Sequence, residues 1–229
     1  MTTFHQRLIS ATDHDRQAML GAPIIGRALR GAITIDDYLR FLHEAYHHVR
    51  HTVPLLQACR DALPQRLAWM APALDEYVAE EVGHDEWILA DIEAAGGDAL
   101  AARHGRPSRA TALMVAYAYD MIARVHPLGF LGMVHVLEGT SAALALQAAD
   151  SIQNTLQLPA NAMTYLRSHG HLDQEHTDHY AQLVNRLDDE ADRQAIIDAT
   201  GMFHLLYGNV FRSLDERDQP AGEPARLAA

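Results

Sequence analysis

The chain has 229 residues and a formal net charge of −12, and it contains 15 histidines but no lysine and one cysteine, Cys59. Without lysine, the chain cannot form the usual P-loop, a lysine Schiff base or a lysine general base. One cysteine cannot form an intramolecular disulfide, a CxxC pair or a thiolate-rich metal site. A metal would therefore have to bind to nitrogen and oxygen ligands. The negative charge and the lack of basic clusters disfavour a nucleic-acid partner.

The predicted elements are all helices, because alanine is abundant and apolar residues recur at spacings of three and four. The spacing predicts helices over about 4–29 with a break near Gly21, Pro23 and Gly26, then over 34–63, 72–95, 108–125, 128–156, 159–187 and 190–217. These make one all-α domain of about seven helices over residues 1–217. We expect residues 218–229 to be a disordered tail.

Several local signals set the predicted helix ends. Thr34-Ile35-Asp36-Asp37 is similar to a capping box, and Ser108 is a candidate N-cap. Pro54 predicts a kink in the helix that begins at Thr34, and Gly96-Gly97 predicts a stop.

The ends of the chain and its apolar runs bear on location. The N-terminal sequence MTTFHQRLISATDHDRQ lacks the basic region and apolar run of a secretory signal. No stretch reaches about 18 uninterrupted apolar residues, the length that a membrane span needs. We therefore expect a soluble, cytoplasmic protein with no membrane partner.

A stripe of possible metal ligands lies in the segment SHGHLDQEHTDHY. At about 100° per residue, Asp173 is about 40° and His176 about −20° from His169 around a helix. Two imidazoles and a carboxylate can therefore point to one place. A solvated polar face is the simpler alternative for this stretch taken alone.

Three other helices carry candidate ligands. In EYVAEEVGHDEW, both Glu80 and Glu81 are spaced to share a helix face with His84, and Glu81 is preferred. Glu138 lies in the nearly uncharged segment GFLGMVHVLEGTSAALAL, where an ionised carboxylate is costly unless it is paired or bound to metal. Glu44 lies in FLHEAYHHVRH, beside several histidines.

Taken together, these candidates have the order of a dinuclear site in a helical bundle. Such a site needs one carboxylate from each of two helices and a carboxylate-x-x-His pair from each of two others. Glu44 and Glu138 match the lone carboxylates, and Glu81-x-x-His84 and Asp173-x-x-His176 match the pairs. The joint pattern is much more specific than any of its parts.

The segments EEVGHDEW and VLEGTS and the motif of His169, Asp173 and His176 resemble the heme-oxygenase-like diiron oxidases and oxygenases, a family of iron-containing redox enzymes. The resemblance covers about residues 38–187 and implies a heme-oxygenase-like helical fold. It implies the metal ligands Glu44, Glu81, His84, Glu138, His169, Asp173 and His176, and no further catalytic residue is predicted.

The resemblance also implies an activity. Two iron ions, or an iron–manganese pair, would activate O2 through a peroxo-diiron species that attacks a small organic substrate. The reaction would be N-oxygenation of an amino-acid-derived substrate or oxidative C–C cleavage of an amino acid or fatty acid. An external electron donor and a homodimer are further expectations.

Four other interpretations stay open from the sequence. A ferritin-like iron-handling protein would use the same order of ligands. Heme oxygenase would need an axial histidine on the first helix, where this chain offers His14, and further glycines after Gly139, which are missing. A metal-free enzyme of the thiaminase II or pyrroloquinoline-quinone synthase type, and a helical interaction domain, would not need the ligands to converge.

Overall fold

A computed structural model describes residues 2–215, and every regular element in that range is helical. The α-helices are α1 (Phe4–Leu20), α2 (Pro23–Leu29), α3 (Ile35–Val49), α4 (Thr52–Asp61), α5 (Ala71–Glu81), α6 (His84–Ala94), α7 (Ala99–His104), α8 (Arg109–Asp120), α9 (Phe130–Leu156), α10 (Thr164–Asn185) and α11 (Glu190–Ser213). The 3₁₀ turns are Gln65–Met70, Pro127–Gly129 and Ala160–Ala162, and a π turn covers Met121–Val125. The predicted all-α fold is confirmed, whereas the predicted tail lies outside the described residues.

The predicted helix caps form as the sequence indicates. The Thr34 hydroxyl accepts a hydrogen bond from the Asp37 backbone N–H, and the Asp37 carboxylate accepts one from the Thr34 backbone N–H. The Ser108 hydroxyl accepts from the Thr111 backbone N–H at the start of α8. These bonds satisfy helix N–H groups that have no partner within the helix.

Two predicted helices are each divided into two, which partly explains why there are more helices than expected. The predicted helix over 34–63 is interrupted at Arg50 and His51, before Pro54. The predicted helix over 72–95 is interrupted at Val82, which has a ψ of 120°, and at Gly83, which has a φ of 91°. Glu81 and His84 therefore lie on opposite sides of a break, and the prediction of one continuous helix face was wrong.

Helix α9 lies at the centre of the bundle and contacts α10, α11 and α2. Among the described residues, the stretch Pro127–Leu156 is long and apolar enough to cross a membrane, but half of its most apolar window is buried within the fold. At the crossing of α9 and α11, a Cβ added to Gly132 would come within 2.7 Å of the Thr200 backbone nitrogen. Glycine thus lets the two helices approach closely around the core.

Replacing Gly83 with alanine is expected to lower the free energy of unfolding by about 1 kcal/mol, because alanine disfavours the left-handed conformation. Gly139 is the matched control, since it lies inside α9 and an added Cβ would meet nothing within 4 Å. Gly139→Ala is expected to stabilise the fold by up to about 1 kcal/mol. Urea unfolding of the metal-free protein measures both, and an equal effect of the two substitutions would contradict the prediction.

Candidate metal centre

Six of the seven predicted ligands form two neighbouring groups inside the bundle. They come from the junction of α5 and α6, from α9 and from α10. Within each group, one ligand atom of every residue lies within 4.8 Å of the ligand atoms of the other two. The first group is Glu81, His84 and His169, and the second group is Glu138, Asp173 and His176.

Asp173 connects the two groups. Its Oδ2 lies 3.6 Å from His169 Nδ1, and its Oδ1 lies 3.2 Å from His176 Nδ1. The residue is 1% exposed. A buried carboxylate that faces a histidine of each group is placed to bridge two metal ions.

In the second group, Asp173 and His176 shift each other's pKa. The hydrogen bond to Asp173 raises the pKa of His176 in spite of its burial. Burial acts to raise the pKa of Asp173, but the hydrogen bonds to His169 and His176 outweigh it and lower the value. The pair therefore favours imidazolium and carboxylate without metal, and metal binding would release the histidine proton.

Glu138 is a buried acid that lacks a strong partner. Its Oε1 lies 3.8 Å from His176 Nδ1, and its Oε2 has no hydrogen-bond partner among the described residues. Burial, together with Asp173 and the two glutamates at the end of α5, raises its pKa well above the ordinary value. A bound cation would remove this electrostatic penalty, which is what a metal ligand requires.

The first group is supported by aromatic side chains. His84 Nδ1 lies 3.1 Å from Glu81 Oε2, and the His84 ring stacks on Trp87 with 4.0 Å between ring centroids. The ring of Tyr165 contacts His169 edge-on at 4.9 Å. The His169 Nε2 atom is buried without a hydrogen-bond partner in the described part of the chain.

At the end of α5, Glu80 as well as Glu81 lies beside the candidate ligands, and Glu80 is exposed. Glu80 Oε2 lies 3.3 Å from His176 Nε2, next to the second group. From the sequence, Glu80 was the alternative to the preferred Glu81, since either spacing shares a helix face with His84. The structure places Glu81 in the first group and Glu80 beside the second.

Glu44 is the seventh predicted ligand, and hydrogen bonds hold its carboxylate. Its carboxylate accepts hydrogen bonds from the Ser108 backbone N–H, at 3.0 and 3.1 Å, and from the Thr111 hydroxyl. It therefore caps the N-terminus of α8, where peptide N–H groups attract a negative charge. Glu44 belongs to neither group of candidate ligands.

Replacing Glu44 with glutamine is expected to lower the free energy of unfolding at pH 7 by about 2 kcal/mol, with allowance for solvent screening. Burial acts to raise the pKa of Glu44, but hydrogen bonds from His43, Thr111 and Ser108 outweigh it and lower the value from 4.5 to about 2. Because the folded value is depressed, the stabilisation is present above pH 4.5 and is lost as the pH falls toward 2. Urea unfolding at several pH values measures this stability change. A variant that binds less metal but is as stable as the wild type would contradict the capping role.

A large cavity opens beside the two groups. Its empty volume is about 1280 Å³, including the part open to solvent. Glu81, Glu138, Asp173 and His169 line one region of it, and most of the remaining wall is apolar. A small organic molecule in this cavity would therefore lie next to the candidate ligands.

Two polar side chains that sequence reasoning did not assign to the site also line the cavity. His48 is buried, its Nδ1 has no hydrogen-bond partner in the described chain, and burial lowers its pKa to about 4. The Tyr77 hydroxyl is also buried and unpartnered within residues 2–215. Tertiary packing brings both groups to the cavity, and the one sequence signal was the histidine cluster around Glu44, which contains His48.

The heme interpretation receives no support from the first helix. His14 is exposed, and no residue of α1 lines the cavity. The two groups instead offer imidazole nitrogens and carboxylate oxygens, with buried atoms that lack partners. This donor set fits two ions of iron or manganese.

The sequence from residue 39 to residue 208 matches a family described as iron-containing redox enzyme. No curated protein is significantly similar to the chain. Among solved structures, a domain of unknown function with a heme oxygenase-like fold from Shewanella denitrificans OS217 has a TM-score of 0.78 and 21% identity, over 92% of this chain and 89% of that one.

Two other solved structures have the same fold. A TenA homologue from Pseudomonas syringae pv. tomato DC3000 has a TM-score of 0.75 and 9% identity, over 93% of this chain and 92% of that one. Heme oxygenase from Leptospira interrogans has a TM-score of 0.71 and 16% identity, over 93% of this chain and 100% of that one. At these identities the likeness establishes the heme oxygenase-like fold.

Proposed function

Because the chain belongs to the family of iron-containing redox enzymes, we propose that it is an O2-dependent oxidoreductase with a non-heme dinuclear iron centre. The observation that carries the proposal is Asp173, which is buried between the two groups and faces one histidine of each. A structural ion pair would need only one of these contacts. The arrangement is the one that a bridging ligand needs.

Each group would hold one ion. Glu81, His84 and His169 would bind the first, and Glu138, Asp173 and His176 the second, with Glu80 as a further oxygen ligand close to His176. When bound, the metal pair would supply the electrons that reduce O2. An iron–manganese pair would suit the same ligands.

The side chains around the ions have their own tasks. Stacking on Trp87 orients the His84 ring, and the contact with Tyr165 orients that of His169. The apolar wall of the cavity excludes water from the space where substrate would lie. Asp173 and His176 can hold a proton between Oδ1 and Nδ1 before metal binds.

Metal analysis after anaerobic loading with Fe(II) tests the proposal. We expect about two ions per chain, as a dinuclear bundle site holds, and a transient visible absorption on mixing with O2. Loading with an equimolar mixture of Fe(II) and Mn(II) tests the mixed pair. Protein that retains no transition metal would overturn the proposal, and stoichiometric binding of hemin in place of iron would favour heme oxygenase chemistry.

Other expectations stay proposals. The substrate would be a small organic molecule, and an external electron donor would restore the reduced metal pair. We also propose that the protein works in the cytoplasm.

A further inference from the structure

The two helices that carry the histidines of the first group, α6 and α10, meet at a second place. At the candidate ligands, the rings of His84 and His169 are edge-on with 4.9 Å between their centroids. Asp91 follows His84 on the same face of α6, at about −20° around the helix and about 10 Å along it. There the Asp91 carboxylate meets the start of α10.

Asp91 caps the N-terminus of α10. The residue is 0% exposed, its Oδ1 accepts a hydrogen bond from the Thr164 backbone N–H at 3.0 Å, and its Oδ2 accepts one from the Tyr165 backbone N–H at 2.8 Å. Met163, which precedes the helix, makes no side-chain cap. Asp91 therefore supplies from α6 the acceptors that the first N–H groups of α10 lack within their own helix.

Tyr165 connects this cap to a candidate ligand. It precedes His169 by one helical turn, so the two side chains share a face of α10. Their rings contact each other with 4.9 Å between centroids. A shift of the start of α10 relative to α6 would therefore move His169 relative to His84.

The first group depends on contacts between helices more than the second group does. Gly83, which precedes α6, has a φ of 91° and makes no side-chain cap, so the start of α6 lacks local side-chain support. His84 and His169 come from different helices. Asp173 and His176 instead come from one helix and are hydrogen-bonded to each other at 3.2 Å. Loss of the contact between α6 and α10 should thus disturb the first group most.

We propose that Asp91 is a positioning residue for the metal ion of the first group. By fixing the start of α10 against α6, it keeps His84 and His169 at the separation that one ion needs. Asp91 belongs to neither group of candidate ligands and does not line the cavity, so it acts through the two helices. As a statement about metal binding, this inference rests on the proposed function.

Replacing Asp91 with asparagine tests the inference. The amide keeps the volume of the side chain, but its nitrogen cannot accept a hydrogen bond from the second backbone N–H. Equilibrium titration with Fe(II) under anaerobic conditions, with metal analysis of the protein, measures the affinity for each ion. We expect the affinity for one ion to fall by about 10- to 100-fold, as loss of an outer-shell partner does, and that for the other to change much less.

Two further backgrounds show which ion is affected. His84→Ala removes a ligand of the first group, and Asp91→Asn is then expected to weaken the remaining ion no further. His176→Ala leaves the first group complete, and there Asp91→Asn is expected to lower the iron affinity by the same factor as in the wild type. Equal weakening in both backgrounds would overturn the inference, because Asp91 would then act on the fold as a whole.

Two controls separate positioning from the loss of a cap and from the loss of a charge. Glu44→Gln removes a carboxylate cap from the start of α8, and Glu93→Gln removes an exposed carboxylate from α6. Both are expected to leave the affinities for the two ions unchanged. If either control weakens iron binding as much as Asp91→Asn does, the inference fails.

Hydrogen exchange in the unmodified protein tests the same connection without a variant that has to fold. Because coupling between two sites is reciprocal, metal that depends on the cap must also stabilise it. Fe(II) loading is therefore expected to slow exchange of the Thr164 and Tyr165 amides by at least about fivefold, and to affect the amides at the start of α8 much less. Equal slowing at the two helix starts would overturn the inference.

The inference and the proposed function fail in different ways. Wild-type protein that retains no transition metal overturns both. Wild-type protein that holds two irons, together with an Asp91→Asn variant that binds both as tightly, overturns only the role of Asp91 and leaves the proposed function supported.

Discussion

Replacing Asp173 with asparagine is expected to lower the iron content after anaerobic loading from about two ions per chain to less than one. Asp173 is the only residue of the two groups that faces a histidine of each, at 3.6 Å from His169 and 3.2 Å from His176. Asparagine keeps the volume but removes the charge and one of the two anionic oxygens. The binding of both ions should therefore weaken together, by more than the roughly 10- to 100-fold loss of affinity that follows removal of an outer-shell partner.

Metal content and turnover of O2 measure this effect, and Glu175→Gln provides the control. Glu175 lies on the same helix, α10, but is exposed. The control removes the same charge and is expected to retain both ions. If Asp173→Asn keeps two irons with unchanged affinity, Asp173 does not bridge and the two groups are only a network of ion pairs.

Replacing Glu138 with glutamine is expected to have opposite effects on metal binding and on the stability of the metal-free fold. Burial and the nearby acids Asp173, Glu81 and Glu80 raise the pKa of Glu138 well above its ordinary value of 4.5. At pH 7 the metal-free protein must either keep this carboxyl protonated or bury an uncompensated charge. Glutamine removes that cost, so the free energy of unfolding should rise by about 1–3 kcal/mol.

The direction of the pKa shift sets how the stability difference changes with pH. A folded pKa above the unfolded one means that wild-type stability falls as the pH rises above about 4.5. The difference between Glu138→Gln and wild type should thus be small near pH 4 and grow toward pH 7. Urea unfolding of the metal-free proteins measures it, with Glu175→Gln as the comparison. A destabilised variant that also retains iron would show that Glu138 is a structural residue.

If Glu138 binds metal, ligation imposes a cost on the metal-free fold. Glu138 is 9% exposed and has an oxygen without a partner among residues 2–215. A residue kept only for stability would not be expected in this state. A variant that gains stability while losing metal affinity would distinguish a metal centre from a buried ion-pair network.

Some features of the site could be predicted because their causes are local. The spacing of His169, Asp173 and His176 sets their common direction on a helix, and all three lie in α10 as expected. Glu138 could be singled out because no charge surrounds it in the sequence. The caps at Thr34 and Ser108 depend only on neighbours three residues away.

Other features depended on contacts between distant segments. Glu44 has the same helical setting as a ligand would have, but its partners are 64 and 67 residues away at the start of α8. Nothing in the local pattern around Glu44 indicates which neighbour its carboxylate meets. The positions of Tyr77 and His48 on the cavity wall depend on packing for the same reason.

From the amino-acid sequence we could predict the helical class of the fold, the nitrogen and oxygen chemistry of any metal site and most of the candidate ligands. These follow from composition and from the period of the helix, which act over a few residues. Packing between helices was needed to place Glu44 at the start of α8, Glu80 beside His176, and a largely apolar cavity next to the candidate ligands. The reason is that a side chain's direction follows from its own helix, whereas its partner depends on how the helices pack.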